Sequence, residues 1–410
     1  MPMESLSFVF ADRATVPGWL GTDVQGEVIQ HILDVKPDRV LLITDETVDS
    51  LHQDYFGPLF KGSEADNMGE TGACSNTSGL PEVDKFVLPC GDACKSWGNL
   101  TALMEWAFRV GATKRTLVLA FGGGALMNVS GLFASMLFRG SKLIYVPTTL
   151  LAMHDVTTSL KTSICFDGRK NNIGTFYAPL KILIDVAFCR TLPRGELFSG
   201  IGELAKNAAL LGGKHAEGFS QALSKDRINS EHGGSGEEFA IDNATLSMLL
   251  ALGIEAKMSI LVADAYERTS GMIFEYGHTV SHAIEKAYGD GVVPHGLGVT
   301  YGMLSSSYAA EKLGIMSAAD REEHDQLCWL LLKRWPLPSP MPSVEKVLAL
   351  AMRDSKRGIC GEADDEISDV LLRRMGDHVP TTTQNLSKFP CHLVEEWLVD
   401  MGFPREGQKQ

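Results

Sequence analysis

The sequence predicts an α/β protein in two parts, a parallel-sheet domain over residues 1–192 and a mostly helical domain over residues 193–410. Three observations predict it. Apolar, β-branched runs too short for helices alternate with helix-patterned segments through the first half. Three consecutive glycines close one of those runs and open the next helix-like segment. From about Gly195 onward the apolar residues recur at helical spacing and β-rich runs become scarce.

Arg39–Glu46 (RVLLITDE), Thr116–Ala125 (TLVLAFGGGA), Lys142–Thr149 (KLIYVPTT) and Lys181–Val186 (KILIDV) read as strands. Their apolar runs are continuous, not alternating, so both faces are expected to be covered, as in a parallel sheet. Trp97–Val110 between them reads as a helix. The boundary falls near Leu192–Pro193. Beyond it Leu246–Ala265, Phe274–Tyr288, Leu297–Leu313 and Glu322–Trp335 read as helices. Lys61–Asp84 and Gly212–Glu238 are turn-rich and charged, and read as surface loop insertions.

Composition narrows the function. Lys and Arg number 37 against 51 Asp and Glu, a net charge of −14, with 44% apolar and 21% charged residues. Such an acidic globular chain lacks the basic stripes that nucleic acid requires, yet a few local cations suffice for a small phosphorylated substrate. The opening MPMESLSFVFADRA has no basic n-region or long apolar core, and no uninterrupted apolar run approaches a membrane span of roughly 20 residues. The eight cysteines are scattered, which reads as reduced thiols and a cytoplasmic protein.

Gly122-Gly123-Gly124 is placed where backbone can approach a pyrophosphate at a helix N-terminus, which makes the first domain Rossmann-like. Met127 occupies the third glycine position of GxGxxG, so the fingerprint is incomplete. Asp45, closing the first of those strands, suits a ribose hydroxyl or a simple helix cap. In the second half, His278 and His282 stand at i and i+4 on one helix face, His295 lies in Pro294-His295-Gly296, and Glu203 lies in GIGELAK. Two histidines and a carboxylate make a common catalytic metal set, and the spacing alone leaves open which histidines bind. Lysines and arginines recur beside turns: Arg139, Lys161, Lys170, Lys206, Lys257 and Lys356. Each alone reads as a solvated charge. Lys161 and Lys206 stand in apolar neighbourhoods, where burial requires an anionic partner.

The segment opening GGGALMNVSG and running through SLKTSICFDGRKNN to KILID, followed by TLPRGELFSGIGELAKN, EYGHTVSHAIE and VPHG, resembles the sugar phosphate cyclases of the dehydroquinate synthase superfamily, from about Val40 to about Arg357. The resemblance implies a dehydroquinate synthase-like fold, with an NAD-binding domain followed by a helical metal- and substrate-binding domain. It implies a divalent metal, zinc or cobalt, on Glu203, His278 and His295. His282 then matches a substrate-phosphate contact, together with Arg139, Lys170, Asn171, Lys206 and Lys356, the arginine serving the partner's site in a homodimer. Lys161, Lys206, Lys257, His282 and Asp155 match active-site positions, and Glu275 is a further candidate base or hydroxyl anchor. Asp45, Lys95, Gly123, Gly124, Thr148 and Thr149 match cofactor-binding positions.

The departures imply a substrate. Asn128 replaces an aspartate, SLK replaces GGK, and Glu275 replaces an asparagine. The stretch Thr269–Phe274 lacks the arginine that helps clamp a substrate carboxylate, and Arg268 is the nearest one. A site without that clamp is expected to prefer a substrate without a carboxylate. The EYGHT and SLK variants are most similar to the 2-deoxy-scyllo-inosose synthase branch, which implies glucose 6-phosphate. The epi-valiolone branch, which uses sedoheptulose 7-phosphate, lacks the second helix histidine, here His282. That branch, 3-dehydroquinate synthase and a metal-dependent polyol-phosphate dehydrogenase are the alternatives.

Overall fold

A computed structural model describes residues 3–9, 15–60, 80–224, 241–289 and 291–407. The chain forms two compact units, Met1–Leu192 and Pro193–Gln410.

The first unit is built on a seven-stranded sheet. Its strands are β1 (Glu4–Val9), β2 (Thr15–Gly21), β3 (Arg39–Asp45), β4 (Glu82–Leu88), β5 (Leu117–Gly122), β6 (Lys142–Pro147) and β9 (Lys181–Asp185). The order across the sheet is β1-β2-β9-β6-β5-β3-β4, with β1 antiparallel to β2 and every other neighbour parallel. All six residues of β5 are buried, as are six of the seven in β3, which is why Val40–Ile43 and Leu117–Phe121 are unbroken apolar runs. The helices are α1 (Gln25–Leu33), α2 (Glu46–His52), α3 (Gly57–Phe60), α4 (Trp97–Arg109) and α5 (Gly124–Met136). Outside the sheet, β7 (Lys161–Phe166) and β8 (Arg169–Phe176) form an antiparallel hairpin. Its two-residue turn is Asp167-Gly168, both at positive φ (52° and 70°), as the right-handed twist of a tight hairpin demands.

The second unit is helical: α6 (Arg194–Leu211), α7 (Gly213–Ser224), α8 (Asn243–Leu261), α9 (His278–Tyr288), α10 (His295–Lys312), α11 (Ala318–Leu332), α12 (Val344–Ala351) and α13 (His392–Asp400). Two small antiparallel pairs supplement it, β10 (Glu366–Val370) with β13 (Leu386–Pro390), and β11 (Leu372–Arg374) with β12 (Asp377–His378). Helix α8 is long and apolar enough to cross a membrane by length and composition alone, and 56% of its apolar window is buried inside the protein.

Two expectations need correction. Gly213–Ser224 is a helix, not a loop, because His215, Ala216, Phe219, Ala222 and Leu223 recur at helical spacing on its buried face. Glu82–Asp84, expected in the other loop, begins edge strand β4, whose polar residues face outward. Residues 61–79 and 225–238 of those insertions lie outside the described residues.

Glycines set the helix crossings of this unit. A Cβ on Gly202 of α6 would lie 2.1 Å from Gly296 O of α10, and one on Gly296 would lie 2.2 Å from Ser199 O. A Cβ on Gly302 of α10 would lie 1.8 Å from Gly277 O, just before α9. Gly277 itself sits at φ 75°, left-handed backbone that glycine adopts without strain. These are backbone-on-backbone contacts, so no side chain can swing aside to make room. Gly202→Ala is expected to destabilise the protein by about 1–3 kcal/mol or more. Denaturant unfolding measures it, and an unchanged midpoint would contradict the crossing.

Candidate active site

In the first unit the chain leaves β3 towards β4 and leaves β5 towards β6, so the strand order reverses between β3 and β5. Ligands of open parallel sheets bind beyond the carboxyl ends at such a point. Asp45 ends β3 and Gly122 ends β5. A Cβ on Gly122 would lie 3.1 Å from Asp45 Oδ2, and one on Gly123 would lie 3.1 Å from Thr149 Cγ2. Thr148 N donates to Gly122 O at 2.9 Å, and its buried hydroxyl has no hydrogen-bond partner. Helix α5 begins at Gly124, so its free N–H groups open onto this crevice. Asp45 also caps α2, its Oδ1 accepting from Thr47 N and Val48 N at 3.0 Å each. Both readings of that acid, cap and crevice residue, therefore fit one position.

The hairpin carries other expected residues. Lys95 is buried and its ammonium donates to Asn171 Oδ1; Ser163 donates to the same oxygen at 3.2 Å. Asn171 adopts φ 56°. Lys170 is exposed and pairs with Asp92 at 2.9 Å. Arg139 is exposed, at φ 67° after α5. Asp155 is half-buried in a short π-helix over Ala152–Val156. Lys161 is a correction to its expected apolar surroundings: it opens β7 at an exposed position, where the strand is only beginning to be covered.

The second unit gathers the rest. Glu203 on α6, His278 at the start of α9 and His295 at the start of α10 each offer one ligand atom, all within 4.8 Å of one another. Each of the three is the chain neighbour of a crossing glycine: Gly202, Gly277 and Gly296. His278 Nδ1 bonds Tyr276 O at 3.1 Å, and His295 Nδ1 bonds Glu285 Oε1 at 3.0 Å. Those bonds leave both Nε2 atoms turned towards Glu203 Oε1, at 3.5 and 3.6 Å. Glu203 is 2% exposed, and neither carboxylate oxygen accepts a well-aligned hydrogen bond, although Lys206 Nζ stands 2.6 Å from Oε2. A buried carboxylate oxygen facing two imidazole nitrogens is costly unless a cation joins them. These residues fit a divalent metal with open positions.

His282 packs beside this trio, its ring centroid 5.5 Å from that of His278 and 6.2 Å from that of His295, but its hydrogen bond goes elsewhere. Its Nδ1 bonds Asp354 Oδ2 at 3.0 Å. Asp354 Oδ1 pairs with the buried Lys356 at 2.7 Å, and Lys356 reaches Glu275 Oε2 at 3.3 Å. Lys206 donates to Phe274 O at 2.6 Å, and Lys257, also buried, stands 5.0 Å over the Phe274 ring. Burial opposes the charge on Glu275, but the Lys356 and Lys206 ammonium groups beside it hold its carboxyl below the usual carboxylate range. Burial, then Lys206, pushes His278 well below the usual histidine range, so its imidazole is neutral and able to ligate. Burial opposes the charge on His295 too, yet the bond that it donates to Glu285 raises it to about 9, which marks a strongly basic ligand nitrogen.

Sequence reasoning missed Glu285 and Asp354, the two carboxylates that orient histidines. The signal was present, since Glu285 follows His282 by three residues on α9 and Asp354 precedes Lys356 by two.

Residues 85–199 match the 3-dehydroquinate synthase N-terminal family and residues 200–357 the 3-dehydroquinate synthase C-terminal family. The chain is 33% identical to a 2-deoxy-scyllo-inosose synthase of Streptomyces fradiae over 396 residues, 97% of this chain and 85% of that one. A crystal structure of 2-deoxy-scyllo-inosose synthase complexed with carbaglucose-6-phosphate, NAD+ and Co2+ superposes with a TM-score of 0.78 at 28% identity, covering 97% of this chain and 99% of that one. A 2-epi-5-epi-valiolone synthase from Streptomyces hygroscopicus, with NAD+ and Zn2+ bound, shares the fold at 22% identity, with a TM-score of 0.73 and coverage of 95% and 97%.

His295→Ala is expected to lose bound metal in elemental analysis. Glu285→Ala, which frees the ligand ring, is expected to weaken metal binding about 10–100-fold in a competition titration. Full occupancy in the first variant would refute the ligand set.

Proposed function

The chain belongs to the 3-dehydroquinate synthase family, and on that premise we propose that it is a sugar phosphate cyclase acting on glucose 6-phosphate to give 2-deoxy-scyllo-inosose. The observation that carries this reading is a buried Glu203–His278–His295 cluster with Lys206 and the Glu275–Lys356 pair around it. A metal-binding set among ammonium groups suits a polyol that carries a phosphate. The end-to-end similarity to 2-deoxy-scyllo-inosose synthases and the missing arginine between Thr269 and Phe274 support a substrate without a carboxylate.

NAD, when bound, would supply a hydride acceptor that is restored each turnover, and zinc or cobalt a Lewis acid at the carbon being oxidised. Glu203, His278 and His295 would hold the metal. Asp45, Lys95, Gly123, Gly124, Thr148 and Thr149 would hold the dinucleotide. Lys206, His282 and Lys356 would hold the phosphate, with Lys170 and Asn171, and with Arg139 serving the partner protomer in a cytoplasmic homodimer. Lys161, Lys257 and Asp155 would line the reacting ring. Once a ketone forms, the neighbouring C–H is acidified, and the departing phosphate takes that proton as it leaves by β-elimination. Reduction and intramolecular aldol closure complete the sequence. Glu275, anionic and held by Lys356, is a poor general base at its low pKa and a good acceptor for a substrate hydroxyl.

Two results test this. Purified protein with NAD and Co2+ is expected to release phosphate from glucose 6-phosphate without net NADH, and to do so more slowly from sedoheptulose 7-phosphate and from the dehydroquinate precursor. Net NADH without phosphate would replace the cyclase with a polyol-phosphate dehydrogenase. The ammonium groups beside Glu275 hold its carboxyl below the usual range, so it is ionised at neutral pH. Glu275→Gln is therefore expected to lower turnover roughly tenfold, the loss of one hydrogen bond to a charged group of about 1.5 kcal/mol, without changing the shape of the pH–rate profile. A lost limb in that profile would show that Glu275 titrates during catalysis.

A further inference from the structure

A hydrogen-bonded chain behind His278 takes no part in the roles above. Tyr276 is fully buried, and its hydroxyl lies 2.9 Å from His324 Nε2 on α11. His324 is also fully buried, with Nδ1 2.8 Å from Asp325 Oδ1. Ser307 of α10 donates to that same oxygen at 2.7 Å, and Arg321 Nε donates to Asp325 Oδ2 at 3.2 Å while its guanidinium also pairs with Glu311. Because Asp325 accepts from Nδ1–H, Nε2 is left as the nearer acceptor for the tyrosine hydroxyl, which also lies 3.4 Å from Met303 O. The chain thus runs from an ion-paired cluster on α10 and α11 to the residue lying between Glu275 and Gly277-His278.

A phenylalanine would fill the volume of Tyr276 without a buried hydroxyl to satisfy, and a leucine would serve at His324. Two completely buried polar side chains bonded to one another instead form a directional strut. The peptide that the strut holds is also held at its other end, because a Cβ on Gly277 would lie 2.7 Å from Met303 N of α10. The carbonyl between these two anchors is the one that takes His278 Nδ1 at 3.1 Å.

We infer that His324 and Asp325 are positioning residues for His278: they pin the Tyr276 ring so that its carbonyl keeps Nε2 of His278 turned to Glu203. The inference rests on the metal-site reading above. Neither residue touches substrate, cofactor or metal. Their effect passes through the orientation of one ligand ring, as outer hydrogen-bond partners of metal ligands act in general.

The test is a Co2+ titration of the metal-free full-length protein, followed by visible absorption, for the wild type and for Tyr276→Phe, His324→Leu and His324→Gln. Tyr276→Phe and His324→Leu are expected to weaken Co2+ binding about tenfold or more and to shift the absorption bands of the bound ion. His324→Gln, whose amide reaches the Nε2 position, is expected to recover most of the affinity, a rescue that a purely space-filling role would not give. Tyr276→Phe keeps the ring and carries the test should His324→Leu fail to fold. Affinity and bands unchanged from wild type in Tyr276→Phe, or an equal loss in His324→Gln and His324→Leu, would overturn the inference. A wild type that binds no Co2+ would overturn the metal reading itself, and this inference with it.

Discussion

Three helices of the second unit touch through their backbones, and the three metal-ligand candidates are the immediate neighbours of the glycines at which they touch. Gly202 carries Glu203, Gly296 follows His295, and Gly277 precedes His278. The distance between donors is therefore fixed by main chain against main chain, with only one side-chain length left to vary. The further bonds refine that placement. Tyr276 O and Glu285 tie down the outer nitrogens, and each imidazole is left with a single free nitrogen and a single direction. If any of these crossings moved apart, the orienting bonds would hold histidines that no longer faced one carboxylate.

Charge in this unit is balanced in layers. Lys206 stands against Glu203, and Lys356 against Glu275 and Asp354. Each ammonium is buried and would be expensive alone. Paired in this way, Lys356 keeps its charge inside the protein. The Lys356 pairs help hold the Glu275 and Asp354 carboxylates anionic. A polyol phosphate entering such a place meets prepaid electrostatics, because its negative group replaces part of a balance already present.

Much of the first unit was legible because β3, β5, β6 and β9 are buried on both faces and write that burial as unbroken apolar runs. Strands β2 and β4 were missed. The first contains Pro17 and Gly18, and the second lies at the sheet edge with charged residues outward, so neither shows the same pattern. The β7–β8 hairpin had its signal, Asp167-Gly168 between two β-like runs, but its exposed strands lack the apolar continuity that marked the others. In the second unit the donor types were legible and their grouping was not. His278 and His282 share a helix face, so local periodicity pairs them. His295 replaces His282 in the trio only because α10 meets α6 at Gly296 and Gly202, a contact between residues far apart in the chain. Asp354 and Glu285 escaped notice for a related reason, since an orienting partner is recognised only when the ring that it orients has been located.

The glycine mounting also bears on which ions the cluster can select. Donors carried on touching backbones cannot spread to seat a large ion or recruit extra oxygens. Ca2+ seeks about six to eight oxygen ligands in a flexible shell, and Mg2+ holds tightly to its own waters. One carboxylate and two imidazoles satisfy neither. The abundant hard cations of a cell are then turned away by stiffness and donor type together, without any dedicated barrier. Among borderline ions, affinity for such a donor set follows the order general to nitrogen and oxygen ligands, and availability then weighs in occupancy.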